Sequence, residues 1–166
     1  MSRHDVLFLL LLGIALLALV LGAAGCLNRE DAGVEPGDST EPHVGMAVFQ
    51  ANCAECHGVA GEGHADWQNR NPDGTLRPPP LNGDGHTWHH ADGILYRIVD
   101  QGGAIPSQPD FKSGMPAFGE KLSDQEIIDV LLYIKTLWHG KVYSDVSIED
   151  LQARRSIADP FPAAAS

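Results

Sequence analysis

The chain has 166 residues but only three cysteines, an odd number that argues against a simple disulfide framework. Cys53 and Cys56 form the one Cys-x-x-Cys pair, and no second such pair exists to complete a four-ligand zinc site. A zinc ion there would have to recruit His64, His86, His89 or His90. Runs of alternating apolar and polar residues are also missing, so the strand–helix–strand setting of a thioredoxin-like Cys-x-x-Cys is not offered. Basic residues are few: 11 Lys and Arg stand against 22 Asp and Glu, for a formal charge of −11. Without Lys and Arg clusters the chain is not built to bind nucleic acid. An acidic surface of this kind suits partners that present basic docking patches. No internal repeat is present.

One long apolar run does occur. Val6 to Gly25 is 20 residues without a charge, long enough to cross a bilayer as a helix or to form the core of a secretory signal. Ala23, Ala24 and Gly25 lead into Cys26, an arrangement that resembles a bacterial lipoprotein signal with Cys26 as the lipidated residue. Residues 1–26 are therefore expected to be a lipoprotein signal or an N-terminal membrane anchor. Either places the remainder on the periplasmic, extracytoplasmic side of a cell membrane. Residues 27–41, charged and rich in Gly and Pro, read as a flexible linker.

Helical periodicity marks three segments. The first covers about His43 to Ala54, with Gly45 and Phe49 one turn apart and Met46 expected as packing. The second covers about Ala91 to Val99, with Asp92 as expected N-cap, Ile94, Leu95, Ile98 and Val99 as its stripe, and Gly102-Gly103 as its stop. The third opens on a capping box, Ser123 to Glu126, and carries Ile127, Val130, Leu131, Ile134 and Trp138 at helical spacing. Turn-rich segments at 71–74, 77–85 and 100–116 separate them. The expectation is an all-α domain over 42–139 with long loops and too little apolar material for a core of its own, so that a large flat cofactor completes it. Residues 140–166 form a C-terminal extension with a short helix around 147–156 and a disordered end, PFPAAAS.

Cys53-Ala-Glu-Cys56-His57 is the Cys-x-x-Cys-His attachment sequence of c-type haem. Two thiols add across the vinyl groups on one edge of the porphyrin, and the adjacent histidine is held where its Nε2 can ligate iron. Beyond His57 the only methionine is Met115, 58 residues on, in a Gly-Met-Pro loop that can bring a thioether to the other side of the ring. His86, His89 and His90 are the competing sixth ligands and rank below Met115.

These features together resemble the class I c-type cytochromes. The resemblance covers about residues 42–138 and rests on GMAVFQANCAECHG, PPLNG, GMPAFG and the last helix with LLYIKTLW. It implies a cytochrome c fold of three to five short helices and long loops wrapped around one covalent haem c. It also implies that Gly45 and Phe49 pack against Tyr133, and that the carbonyl of Pro79 accepts a hydrogen bond from His57, fixing its ring. The segment from His57 to Pro79 is longer than in small soluble members, and the tail beyond Trp138 has no counterpart. The expected activity is single-electron transfer, with Cys53, Cys56, His57, Met115 and Pro79 as haem-binding residues and His57 and Met115 as iron ligands. No catalytic residues are expected. Two other functions stay open: a haem subunit of a larger respiratory oxidoreductase, and a haem-based ligand sensor.

Overall fold

The computed structural model describes residues 42–103 and 111–163. The expected anchor and linker, residues 1–41, lie outside the described residues. Helix α1 runs Pro42–Asn52, and a one-turn helix α2, Ala54–His57, follows after Cys53. The chain barely breaks between them, since Cys53 N–H donates to Phe49 O and His57 N–H donates to Cys53 O. Helical structure thus continues past the expected stop at Ala54 and ends at Gly58, where φ is +80°. A 3-10 turn, Thr87–His89, precedes helix α3, Asp92–Gln101, and helix α4 covers Asp124–Thr136.

The helices fold as they do because each has a narrow apolar face. On α1, Gly45, Val48 and Phe49 turn inward against α4. A side chain at Gly45 would collide with the carbonyl oxygen of Asp129 and lie 2.8 Å from Tyr133 Cβ, so only glycine lets the two backbones meet there. One turn on, Phe49 and Tyr133 have ring centroids 5.3 Å apart at 55°, the tilted geometry aromatic pairs prefer. The expected contact of Gly45 and Phe49 with Tyr133 is therefore present. Met46 does not pack as expected. It is 42% exposed, because it lies a third of a turn around the helix from Gly45.

All five apolar positions of the last predicted helix, Ile127 to Trp138, are buried. Its capping box is formed as the sequence predicts, with Ser123 Oγ accepting from Glu126 N–H and Ser123 N–H donating to Glu126 Oε2 at 2.8 Å. The expectation for Asp92 is corrected. Ala91 is the N-cap of α3, and Asp92 is its first helical residue, with a buried side chain. The carboxylate is drawn inward by Lys135 Nζ and Gln152 Nε2, at 2.5 and 2.6 Å, rather than toward its own helix end.

The C-terminal extension packs closely. Val142–Tyr143 and Val146–Ser147 form a minimal hairpin, and helix α5 covers Ile148–Ser156. Ser144 and Asp145 hold φ of +50° and +64° in its two-residue turn, the backbone that matches strand twist. Ile148 and Gln152 are each only 2% exposed. Arg97 grips Asp159 through both guanidinium nitrogens, at 2.8 and 3.2 Å. Lys135 stands 5.0 Å from the ring centroid of Phe161, which packs against the core. Disorder therefore does not begin at Pro160, because Phe161 has an apolar surface and a cation to rest on. Residues 164–166 lie outside the described residues.

Candidate functional site

The attachment sequence sits where α1 gives way to α2. Cys53 is partly buried against the core and Cys56 is exposed, and both thiols are free. Burial pushes the Cys53 thiol up to about 11, helped by the neighbouring Cys56 and opposed by Lys121. A cysteine of a redox-active Cys-x-x-Cys pair is shifted the other way, toward the thiolate. Among the described residues no three His, Cys, Asp or Glu side chains converge as metal ligands.

His57 is 9% exposed, and its Nδ1 lies 2.9 Å from the carbonyl oxygen of Pro79. A carbonyl can only accept, so Nδ1 carries the proton and Nε2 is left with a free lone pair. Burial lowers the pKa of the imidazole, and the bond to Pro79 only partly opposes that. The ring is neutral at neutral pH, as an iron ligand must be.

Pro79 is held in place by a tight pairing of two chain segments. Gly63 N–H donates to His57 O at 2.7 Å, His64 N–H to Pro78 O at 2.9 Å, and Leu81 N–H to Gly61 O at 2.7 Å. Gly63 has φ of +69°, and a side chain there would strike Pro80 N and Pro79 C, so the close approach again requires glycine. The indole of Trp138, fully buried, closes the arrangement by donating to Leu81 O at 2.7 Å. Sequence reasoning missed this last bond. It counted Trp138 as apolar filling, and the signal available was that a buried indole N–H needs an acceptor.

Met115 lies partly buried against the same core cluster as Cys53, with Tyr96, Phe118 and Tyr133 also at its border. Its N–H donates to Ser113 Oγ at 3.1 Å, and its carbonyl accepts from Gly103 N–H at 3.2 Å. His86, His89 and His90 are engaged elsewhere. His86 lies near Trp67 and His90, with centroids 6.0 and 5.4 Å away, while His89 stacks on Trp88 at 3.7 Å. His86 and His90 are four positions apart, a spacing zinc can use, but among the described residues no third ligand joins them.

The residues present fit haem c. Two free thiols stand beside a neutral, oriented imidazole, and a thioether borders the same cluster. A further fit comes from Arg77, whose Nε is buried without a hydrogen-bond partner among the described residues. Its guanidinium reaches Asp66 only at 3.3 Å, which leaves a donor free for a group that carries carboxylates.

Comparison with known proteins agrees with this chemistry. The family model for cytochrome c matches residues 43–138. The chain belongs to the cytochrome c family. A cytochrome c6 from Pyropia tenera is 37% identical over 90 residues, covering 54% of this chain and 85% of the relative. The cytochrome c subunit of a quinone alcohol dehydrogenase from Gluconobacter oxydans is 32% identical over 124 residues, covering 74% of this chain and 24% of the relative. The cbb3-type cytochrome c oxidase subunit FixP of Azorhizobium caulinodans is 29% identical over 114 residues, 68% of this chain and 33% of that one. The chain thus spans a third or less of the length of the longer relatives. No solved structure matches the chain.

Proposed function

We propose that this protein is a membrane-anchored, monohaem c-type cytochrome that carries single electrons. The observation that carries the reading is the His57 Nδ1 to Pro79 O bond of 2.9 Å, which presents Nε2 of a neutral, buried imidazole beside two free thiols. Bound haem c supplies a one-electron iron couple. Cys53 and Cys56 would hold it by thioether bonds, so that it would not be lost outside the cytoplasm. His57 would ligate the iron through Nε2, with the Pro79 carbonyl fixing the imidazole ring and raising its basicity. Met115 would offer its thioether as the second iron ligand, a pairing with histidine that would give a higher potential than two histidines.

In this reading residues 1–26 serve as lipoprotein signal or membrane anchor, 27–41 as linker, 42–139 as the cytochrome domain and 140–166 as its extension. The domain then works on the periplasmic side of the cell membrane, where a tether raises its effective concentration near membrane complexes. Its acidic surface favours redox partners with basic docking patches. A second reading, as the haem subunit of a larger oxidoreductase, is supported by the similarity to dehydrogenase and oxidase cytochrome subunits.

The test is expression of the full chain with a haem-attachment system. Haem colour that survives acid–acetone extraction is the expected result, whereas a colourless, zinc-loaded product overturns the proposal. Met115→Ala is expected to abolish the long-wavelength charge-transfer band of the ferric protein. Mass spectrometry of the mature N-terminus reads lipidation at Cys26 directly, and a partner that co-purifies through size exclusion separates subunit from free carrier.

A further inference from the structure

The stretch between His57 and Pro79 contains a small folded turn that the haem site, as described, leaves unused. Asp73 Oδ1 accepts from both Thr75 N–H, at 2.9 Å, and Thr75 Oγ–H, at 2.7 Å. Thr75 in turn accepts from Asn71, with its carbonyl at 2.8 Å from the backbone N–H and its Oγ1 at 3.0 Å from Nδ2. Arg70 closes the turn by donating to Gly74 O at 2.8 Å, and Gly74 takes φ of +86°. The turn is therefore rigid for an exposed loop: one carboxylate, one hydroxyl and one amide set the direction of the chain leaving it.

That chain runs directly onto the loop that carries Met115. Leu76 pairs with Arg70 on one side and, in parallel register, with Ser113 on the other. Leu76 N–H donates to Lys112 O at 3.0 Å. Ser113 then accepts the N–H of Met115 through its Oγ at 3.1 Å. From the other flank Gly103 N–H holds the Met115 carbonyl at 3.2 Å. The methionine loop is thus clamped between the end of α3 and the 70–76 turn, and the turn's bond is the one formed by a segment outside the helical frame.

We infer that Asp73, Gly74 and Thr75 are positioning residues for Met115, acting through the Leu76–Lys112 backbone bond to hold the methionine loop closed. The inference rests on Met115 being the sixth ligand. In this arrangement the turn sets how often the loop opens, and so how readily another ligand reaches the iron from that side. Loosening the turn leaves the thioether itself and the Met115 N–H to Ser113 Oγ bond in place but shortens the residence of the closed loop.

The probe is exogenous imidazole, added to the ferric, full-chain holoprotein and followed by loss of the charge-transfer band in stopped flow. Losing one exposed hydrogen-bonded clamp is expected to speed imidazole entry about fivefold in Asp73→Ala. Gly74→Ala, which forces a side chain into a positive φ, is expected to do the same. Asp73→Asn keeps an acceptor oxygen and is expected to restore the wild-type rate. Gly45→Ala, which weakens the α1–α4 crossing instead, is expected to leave the rate within about twofold. Wild-type rates in both Asp73→Ala and Gly74→Ala overturn the inference, as does an equal acceleration in Gly45→Ala, which marks a global effect. A Met115→Ala protein that keeps the band shows instead that the ligand assignment has failed, and the inference falls with it.

Discussion

At the scale of single residues, a few positions hold the site because no other side chain fits them. Gly45 is the clearest case, since its hydrogen is all that separates α1 from the Asp129 carbonyl. Gly45→Ala is expected to lower stability by about 2 kcal/mol, read from urea unfolding of the holoprotein. Gln152 plays the opposite role, as a buried polar group on α5 whose Nε2 reaches Asp92 Oδ1 and His90 O at the start of α3 as well as Ser156 Oγ on its own helix. Gln152→Ala is expected to cost about 1–3 kcal/mol, because Asp92 stays buried with one donor fewer. The contact of His57 with Pro79 was legible in the sequence, because the Cys-x-x-Cys-His and Pro-x-Leu-x-Gly patterns mark both residues locally. Gln152 was not, because Asp92 and His90 lie 60 and 62 residues away and nothing local marks a glutamine as interior.

Among the helices, α4 is the element whose local code is most complete. Ser123 and Glu126 satisfy each other's backbone groups, and Ser123→Ala is expected to cost about 1 kcal/mol. The Glu126 carboxyl is held below the usual range, first by the Ser123 backbone N–H and then by its hydroxyl. Its folded-state pKa is depressed, so its contribution is fully present above the ordinary Glu value of about 4.3 and is lost as pH falls through the lower folded value. Thermal melts between pH 7 and pH 3 are expected to show this acid-side loss and to show less of it in Glu126→Gln. The start of α3 was misread at Asp92 for a related reason. A carboxylate at a helix start suits an N-cap by local rules, yet Lys135 and Gln152 draw this one into the interior. The turn at 70–76 was visible only as turn formers, since its pairing with residue 113 is a tertiary fact.

At the scale of the molecule, the extension is part of the domain's frame. A chain ending at His139 loses Ile148, Gln152 and Phe161 from their packing on the core. Such a truncation is expected to lower stability by at least about 3 kcal/mol, measured by urea unfolding with the haem attached. Charge acts over the same scale. With a net charge of −11, reduction by a cationic small reagent is expected to slow as salt rises from 10 to several hundred mM. Reduction by an anionic reagent is expected to speed up over the same range. Equal salt dependence for both reagents would mean that the acidic side chains do not govern the approach to the haem edge. Fold class was legible at this scale from the spacing of three helices and the scarcity of core material. The role of the tail was not, because its helix has a weakly apolar sequence and only its partners reveal which face is buried.

The crossing of α1 and α4 carries one further consequence, for the time course of folding. Gly45 and Asp129 are 84 positions apart, so their contact closes one of the longest loops in the domain. The entropy of closing that loop is spent before the helix contacts are made. In the proposed ligation, thioether bonds at Cys53 and Cys56 would leave this closure untouched, since both lie beside α1, whereas a bond from Met115 to iron would gather the 58 residues after His57 into a shorter effective loop. Refolding of the ferric protein is therefore expected to slow when imidazole occupies the Met115 side of the iron, with unfolding little changed, as stopped-flow measurements with and without imidazole can record.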